Sequence, residues 1–402
     1  MTYKAFQNLL LTLTLTLTLT FSITILISHP SYADAVEPLI EASDDLPPTF
    51  IDKALTSIGA DSGFDRSKGL DVSYIPSVFY NPETQFGGGA LAIGLYKVDS
   101  ATDDEQPSSV VLNSYISTNL SVGIIADNMT FLNQGKDRLP IYFEIHDEPK
   151  VYYGQGYEST INDNNKITYT ETMVTLNPKW MREVKNNLFL GLGGEFTFIQ
   201  PRNYEIGEEV SDGNPSLIAD LETNTTLGLS ASALFDTRDY VLNPTQGWLV
   251  QMDTGVYYNE LESSTYGKYD FEILNFTSLK PAPGILAFQV QANLSSGDVP
   301  WNMLSDLGGA YAMRGYLLGR FRDKQMAMAQ VEYRLPIYRR SGAVFWAGIG
   351  SIGQDISELS KDLLPTYGIG YRFLLKGRIN IRADLGFGEK TTGFYFNVNE
   401  VF

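Results

Sequence analysis

Few side chains of this sequence could carry catalysis. There is no cysteine, and the two histidines are His29 and His146, so thiolate chemistry and a His-rich metal site are excluded. His146 stands in Ile145-His146-Asp147-Glu148 near the end of an alternating segment, and no Gly-x-Ser-x-Gly elbow supplies a nucleophile beside it. It reads as an exposed or interfacial histidine. Gly87-Gly88-Gly89 lies beside the alternating Leu91, Ile93 and Leu95, which makes it a strand entry and not a phosphate cradle. The acidic stretch from Glu205 to Asp220 reads as a solvated loop. No catalytic residue, metal ligand or cofactor is expected. The remaining chemistry is ionic and centres on Arg314, in Leu307-Gly308-Gly309-Ala310-Tyr311-Ala312-Met313-Arg314-Gly315-Tyr316. An enclosed guanidinium requires a carboxylate, because a buried charge without a partner is strongly destabilising, and a carboxylate can take the guanidinium fork bidentately.

Side-chain parity names the candidates. In Met326 to Leu335 the residues Ala327, Ala329, Val331, Tyr333 and Leu335 form an apolar face. Glu332 and Arg334 therefore point the other way. From Arg378 to Phe387, the residues Ile379, Ile381, Ala383, Leu385 and Phe387 alternate with Arg378, Asn380, Arg382 and Asp384. Arg372, Arg382 and Asp384 fall on inward faces. Glu332 and Asp384 are the candidate partners for an arginine enclosed between these faces.

The elements that must position these charges are strands. From Leu70 onward there are about sixteen segments of roughly ten residues, the length of a tilted membrane strand. Leu188, Leu190, Leu192, Phe196 and Phe198 lie on one face of their segment, opposite glycines, Glu195 and Thr197. Such alternation puts lipid outside and a polar lumen inside. A soluble β-sandwich would alternate too, but the connections differ systematically in length. Those after even-numbered strands are mostly short: Asn133–Arg138, Lys185–Asn187, Pro281–Gly284, Arg339–Gly342 and Lys376–Gly377. Those after odd-numbered strands are often long: Gln155–Lys166, Pro201–Thr223, Asn259–Lys268, Ser295–Lys324 and Gln354–Pro365. Short periplasmic turns and long outer loops are the pattern of an outer-membrane barrel. On this count Arg314 lies in the loop between the eleventh and twelfth strands.

The N-terminus agrees with export. Lys4, an apolar run from Leu9 to Ile27 and the small-x-small Ser31-Tyr32-Ala33 read as a signal peptide over residues 1–33. Residues 34–69 form an acidic periplasmic lead-in with a short helix expected from Phe50 to Ile58, and the barrel domain is expected over 70–402. Beyond the signal, no apolar run reaches the ~20 residues of a membrane helix. With 24 Tyr, 22 Phe, 36 Gly and a net charge of −18, the composition suits a transmembrane β-barrel and argues against nucleic acid as a partner.

The Gly-Gly…Met313-Arg314-Gly315-Tyr316 stretch resembles the signature loop of the bacterial surface antigen family, the outer-membrane barrels related to BamA and TamA. Two further segments are similar to that family. One is Asp236-Thr237-Arg238-Asp239…Asn243-Pro244-Thr245-Gln246-Gly247, which resembles a periplasmic turn. The other is the closing Gly393-to-Phe402 segment, in which Phe394, Phe396, Val398 and Phe402 are expected on one face as a C-terminal barrel signal. The resemblance implies an all-β antiparallel barrel whose signature loop folds into the lumen, with Glu332 as a contact of the loop arginine. Where the family carries an inward aspartate, this chain has Gly348 in Phe345-Trp346-Ala347-Gly348. The lead-in is too short for the family's periplasmic POTRA domains. The implied function is insertion, translocation or display of other polypeptides, with the lipid bilayer, client chains and a separate periplasmic partner as associates. The alternative is a passive or substrate-specific channel. Pro76 in the first strand donates no backbone hydrogen bond, which fits a weak seam between first and last strands and fits equally a strand that bends.

Overall fold

The computed structural model describes residues 69–98, 107–206, 220–241, 243–376 and 378–402, with Phe50 and Lys53 before them. Phe50 and Lys53 are helical; the signal segment and the rest of the lead-in lie outside the described residues. In chain order the strands are β1 (Leu70–Asn81), β2 (Gln85–Tyr96), β3 (Ser108–Ser117), β4 (Val122–Leu132), β5 (Asp137–Tyr152) and β6 (Ile167–Lys185). They continue as β7 (Leu188–Ile206), β8 (Asn224–Asp236), β9 (Gly247–Asn259), β10 (Ser264–Ser278) and β11 (Ile285–Gly297). Two short strands, β12 (Ser305–Leu307) and β13 (Phe321–Asp323), pair with each other apart from the main sheet. Then follow β14 (Gln325–Tyr338), β15 (Ser341–Gly353), β16 (Leu364–Lys376), β17 (Ile379–Gly388) and β18 (Thr391–Val398). Among the described residues, all strands except β12 and β13 close into one antiparallel barrel of sixteen.

Alternation decides which face each side chain takes. On β7 Leu190 and Leu192 are exposed outward, while Phe189 and Thr197 are buried inward. On β11 the outward Leu286 and Phe288 alternate with inward Gln289, which accepts from Gln330 on β14 at 2.5 Å. Large exposed apolar side chains around the outside, such as Leu229 at 76% and Leu192 at 65%, are stable only against lipid, since that much apolar surface in water favours association. Along every junction except most of β1–β18, the closed sheet gives the backbone polar groups a strand neighbour, the condition for spanning a membrane.

Tight turns sit at one end. Residues 186–187 join β6 to β7 and residues 339–340 join β14 to β15. Asn187 takes a positive φ of 62° there, a conformation its short polar side chain tolerates. At the other end are residues 153–166, 298–324 and 354–363. From β5 onward the contrast holds for most connections. The β17–β18 turn, residues 389–390, is short on the long-loop end, and the step from Asp236 to Gly247 is wide on the short-turn end. One expected loop is corrected. The expected long loop Asn259–Lys268 is a turn of residues 260–263, because Ser264 to Lys268 pair with Asn259 to Gly255. Tyr257 and Tyr266 stack there with ring centroids 5.4 Å apart, which extends the hairpin outward. The earliest connections also depart from the pattern: 82–84 and 118–121 are short on the long-loop end.

A second correction concerns the final residues. β18 ends at Val398, and Asn399 adopts φ 71°. The positive φ breaks the two-residue alternation, so Phe402 does not share a face with Phe394 and Phe396. Phe394 is exposed outward, whereas the Phe402 ring packs inside against Phe276 at 6.1 Å. It joins an inward apolar floor at the short-turn end that includes Phe189, Leu234, Leu249, Phe276 and Ile285.

Candidate functional site

The connection from β11 to β14 turns back into the barrel. Its β12–β13 hairpin folds over an apolar seat of Leu307, Met313, Phe321, Met326, Met328 and Ile352. Two glycines let the loop backbone touch the wall. At Gly315 (φ 112°) an added Cβ would lie 2.7 Å from the backbone of Phe387 and Gly388, and at Gly386 it would lie 2.7 Å from the Arg314 carbonyl carbon. A side chain at either position would hold the loop away from β17.

Arg314 is 0% exposed, as are Glu332 and Asp384. Its Nη1 donates to Asp384 Oδ2 at 2.8 Å and its Nη2 to Glu332 Oε2 at 2.6 Å. The fork is thus split between two carboxylates on different strands and does not close bidentately on one. Its guanidinium carbon lies 3.6 Å from the centroid of the Trp346 ring, a cation–π platform in a dry setting. The Arg314 carbonyl accepts from the Thr366 hydroxyl. The Gly315 N–H donates to Tyr395 Oη at 3.0 Å. Tyr316 donates from its hydroxyl to Pro365 O at 2.7 Å and accepts there from the Glu389 N–H at 2.8 Å.

Both carboxylates serve other cations as well. Glu332 Oε1 accepts from Arg334 Nε at 2.8 Å. Asp384 accepts from Arg372 Nη1 at 2.5 Å and from Arg382 Nη1 at 2.8 Å. Arg372 Nε donates to Glu400 Oε2 at 2.7 Å, and Asn380 Nδ2 donates to the other Glu400 oxygen at 2.6 Å. Arg334 Nη2 donates to Phe402 O at 2.7 Å. The loop tip, β14, β16, β17 and residues 399–402 form one ionic network.

The far side of the loop is held differently. Arg320 Nη2 pairs with Asp163 Oδ1 at 2.8 Å, with the two side chains 26% and 80% exposed. The Gly156 N–H donates to Arg322 O at 2.9 Å and Gln155 Nε2 to Asp323 Oδ1 at 2.9 Å. These contacts tie the hairpin to the 153–166 connection, so the loop spans the lumen between two walls.

Of the residues singled out from sequence, Met313, Arg314, Gly315, Tyr316, Glu332 and Asp384 come together. Phe394 and Phe396 lie on β18, and Phe402 reaches the network through Arg334. Gly348 sits opposite Gln330 and Thr366 and contributes no charge; Trp346 and Asp384 surround the arginine instead. Trp346, Thr366, Tyr395 and Glu400 were not singled out. Trp346 shares the inward parity of Gly348, a signal present in the sequence. His146 is buried, which corrects the expected exposed or interfacial position. Its Nδ1 lies 2.8 Å from Glu144 and its Nε2 3.2 Å from Glu171. With both ring nitrogens engaged by carboxylates, it offers no free nitrogen to a nucleophile.

The seam between first and last strands is the other unusual feature. Every one of the 12 residues of β1 pairs with β2. Toward β18 the ladder consists of Tyr80↔Phe396, beside an Asn397–Asn81 side-chain hydrogen bond of 2.9 Å and a Tyr80–Phe394 ring contact at 5.7 Å. Below that pair the closure is greasy. Ile75, Leu91 and Ile93, on the inner face of β1 and β2, cluster with Ile379 and pack against Phe373, Ile381 and Val398. The last four lie on the outward face of β16–β18, opposite in parity to Arg372 and Asp384. The first hairpin therefore laps over the outside of the last strands.

The Omp85 superfamily domain matches residues 113–402, well over half of the chain. Among solved structures, BamA from Haemophilus ducreyi lacking POTRA domains 1–3 is similar with a TM-score of 0.53 at 11% identity, covering 82% of this chain and 70% of that one. CdiB from Acinetobacter baumannii is similar with a TM-score of 0.52 at 12% identity, covering 83% of this chain and 60% of that one. CdiB from Escherichia coli gives 0.51 at 9%, with 83% and 62% covered. The chain thus spans less than two thirds of either CdiB, and at these identities the likeness is one of fold. No curated protein sequence matches. Among the described residues there is no POTRA domain. The chain belongs to the Omp85 superfamily, and its sixteen-stranded barrel is a bacterial outer-membrane barrel.

Proposed function

We propose that this barrel assists the insertion, translocation or display of other polypeptides at the outer membrane, with residues 1–33 directing its export and residues 70–402 forming the working domain. The single observation that carries this reading is the seam, where β1 and β18 share the ladder pair Tyr80↔Phe396. A strand edge held by so few backbone hydrogen bonds is where a client strand can add. The lapped apolar side chains keep the seam shut in lipid without a ladder that must be broken first. A separate periplasmic partner would deliver clients to the short-turn end, and no chemistry on the client is required.

Depletion of the protein followed by quantitative outer-membrane proteomics tests this. A broad fall in other barrels is expected for an assembly role, and loss of one exported species for dedicated secretion. An unchanged outer-membrane proteome would overturn the reading in favour of a channel.

A further inference from the structure

The segment from Asp236 to Gly247 crosses the short-turn end of the barrel. Arg378, in the turn between β16 and β17, holds it there. Its Nη1 meets Asp239 Oδ2 at 2.8 Å, and its carbonyl accepts from Asn243 Nδ2 at 3.2 Å. Against this strap lies a lumenal cavity of about 250 Å³, whose lining includes Arg138, Lys179, Met181, Leu234, Arg238 and Leu249. Small residues shape its wall. β7 presents Gly191 and Gly193 inward, and a Cβ added there would lie 2.8 Å from Met181 Cγ and from Lys179 Cγ respectively.

The cavity is cationic on one side and apolar on the other. Asp236 serves two guanidiniums: Arg138 Nη1 donates to its Oδ2 at 2.9 Å and Arg238 Nε to its Oδ1 at 3.0 Å. One carboxylate between two cations leaves a positive charge over. Lys179 is neutralised by Asp253 at 2.9 Å. The Arg138 guanidinium lies 3.9 Å from the Phe189 ring centroid, and its buried Nε donates to none of the described residues. Met181, Leu234 and Leu249 belong to the inward apolar floor. Asp127 also lines the cavity, but it stands opposite Tyr142 whereas Arg138 stands opposite Phe131. Four strand residues, roughly 13 Å, thus separate the two, and Asp127 directs an anion toward Arg138 without cancelling the charge there.

The same floor already carries a group of matching chemistry. The Phe402 ring rests against Phe276 while Phe402 O accepts from Arg334 at 2.7 Å, and that guanidinium lies 5.4 Å from the Phe276 ring. Arg138 beside Phe189 repeats the arrangement next to an open seat. We propose that this cavity binds a carboxylate borne by a short apolar group, the chemistry shared by a small free organic acid and the last residue of a polypeptide. Binding there requires no opening of the seam, so the proposal stands or falls apart from the proteomic outcome above.

The test is calorimetric titration of the folded full chain in nanodiscs with hydrocinnamate. Saturable binding is expected. Arg138→Gln should weaken it roughly tenfold or more, the effect of losing a hydrogen bond to a charged group. Asp236 keeps Arg238 in that variant; heat-modifiable mobility on gels identifies folded barrel, and Arg138→Lys replaces it should it not fold. Met129→Trp, which fills the cavity and removes no charge, should abolish binding. Hydrocinnamamide and inorganic phosphate, each lacking one half of the ligand, should bind at least as weakly as hydrocinnamate binds the Arg138→Gln protein. Displacement of hydrocinnamate by a short soluble peptide ending in phenylalanine would assign the seat to a polypeptide end, and failure to displace would assign it to a free acid. No saturable binding, equal binding of the amide or of phosphate, or an affinity unmoved by Arg138→Gln would overturn the proposal.

Discussion

The lumenal loop is held at two ends by the same kind of side chain in two different media. At one end Arg314 is fully enclosed with Glu332, Asp384 and Trp346. At the other Arg320 meets Asp163, a side chain 80% exposed. The ion-pair distances are close, 2.6 and 2.8 Å against 2.8 Å, so distance does not separate them. Burial does. An exposed pair is screened by water and typically worth under about 1 kcal/mol, whereas removing one partner of a buried pair costs about 3–5 kcal/mol because the other charge is stranded. The inner end is therefore a lock and the outer end a tether, and the inner end of the loop is expected to swing out only when that lock breaks.

Removing the lock has the largest expected effect. Arg314→Ala or Glu332→Ala should destabilise the loop seat by about 3–5 kcal/mol and open the loop to protease in intact membranes. Protection equal to that of the parent protein would remove the lock from the explanation. Phe402→Ala comes next. A fully buried phenylalanine costs about 3–5 kcal/mol on truncation, and this half-buried ring should cost about 2–3, read as a lower temperature of heat-modified mobility on gels. Normal mobility even after deletion of Phe402 would mean that the residue matters neither to the floor nor to assembly. Trp346→Leu removes the platform beneath Arg314 and should cost about 2 kcal/mol, as for a desolvated cation–π contact; an unchanged melting profile would assign the pose of Arg314 to the carboxylates alone. Arg320→Ala should cost less than about 1 kcal/mol and lose even that at high salt. A large, salt-independent effect there would abolish the distinction between lock and tether.

Much of the barrel was legible because lipid and water impose opposite demands on alternate residues. The Leu188–Phe198 and Ile379–Phe387 alternations gave strands, faces and the inward parity of Glu332 and Asp384. The place of Arg314 between the eleventh and twelfth barrel strands followed from counting. What parity cannot give is a change of direction. Asn399 leaves the strand through a single backbone torsion; Phe402 keeps the parity of Phe394 and Phe396, and only Glu400, a charge on that lipid-facing parity, marks the break. The lap joint is hidden for a related reason. Leu91 and Ile93 are apolar but face inward, because they cover the outer side of β17 and not a polar lumen; a periodicity of two reports sidedness but not which surface lies opposite. The 259–268 segment misled because Tyr and Lys outside the membrane do not alternate by hydropathy, although they pair as strand. Trp346 is legible in the sequence, since it shares the inward parity of Gly348 two residues on.

Single-channel recording in planar bilayers tests most directly whether the barrel is filled by its own loop. The purified parent protein should give small, fluctuating conductance, and Arg314→Ala should convert it to larger and steadier steps. Large stable steps from the parent protein, unchanged by Arg314→Ala, would contradict the ionic seat of the loop inside the lumen.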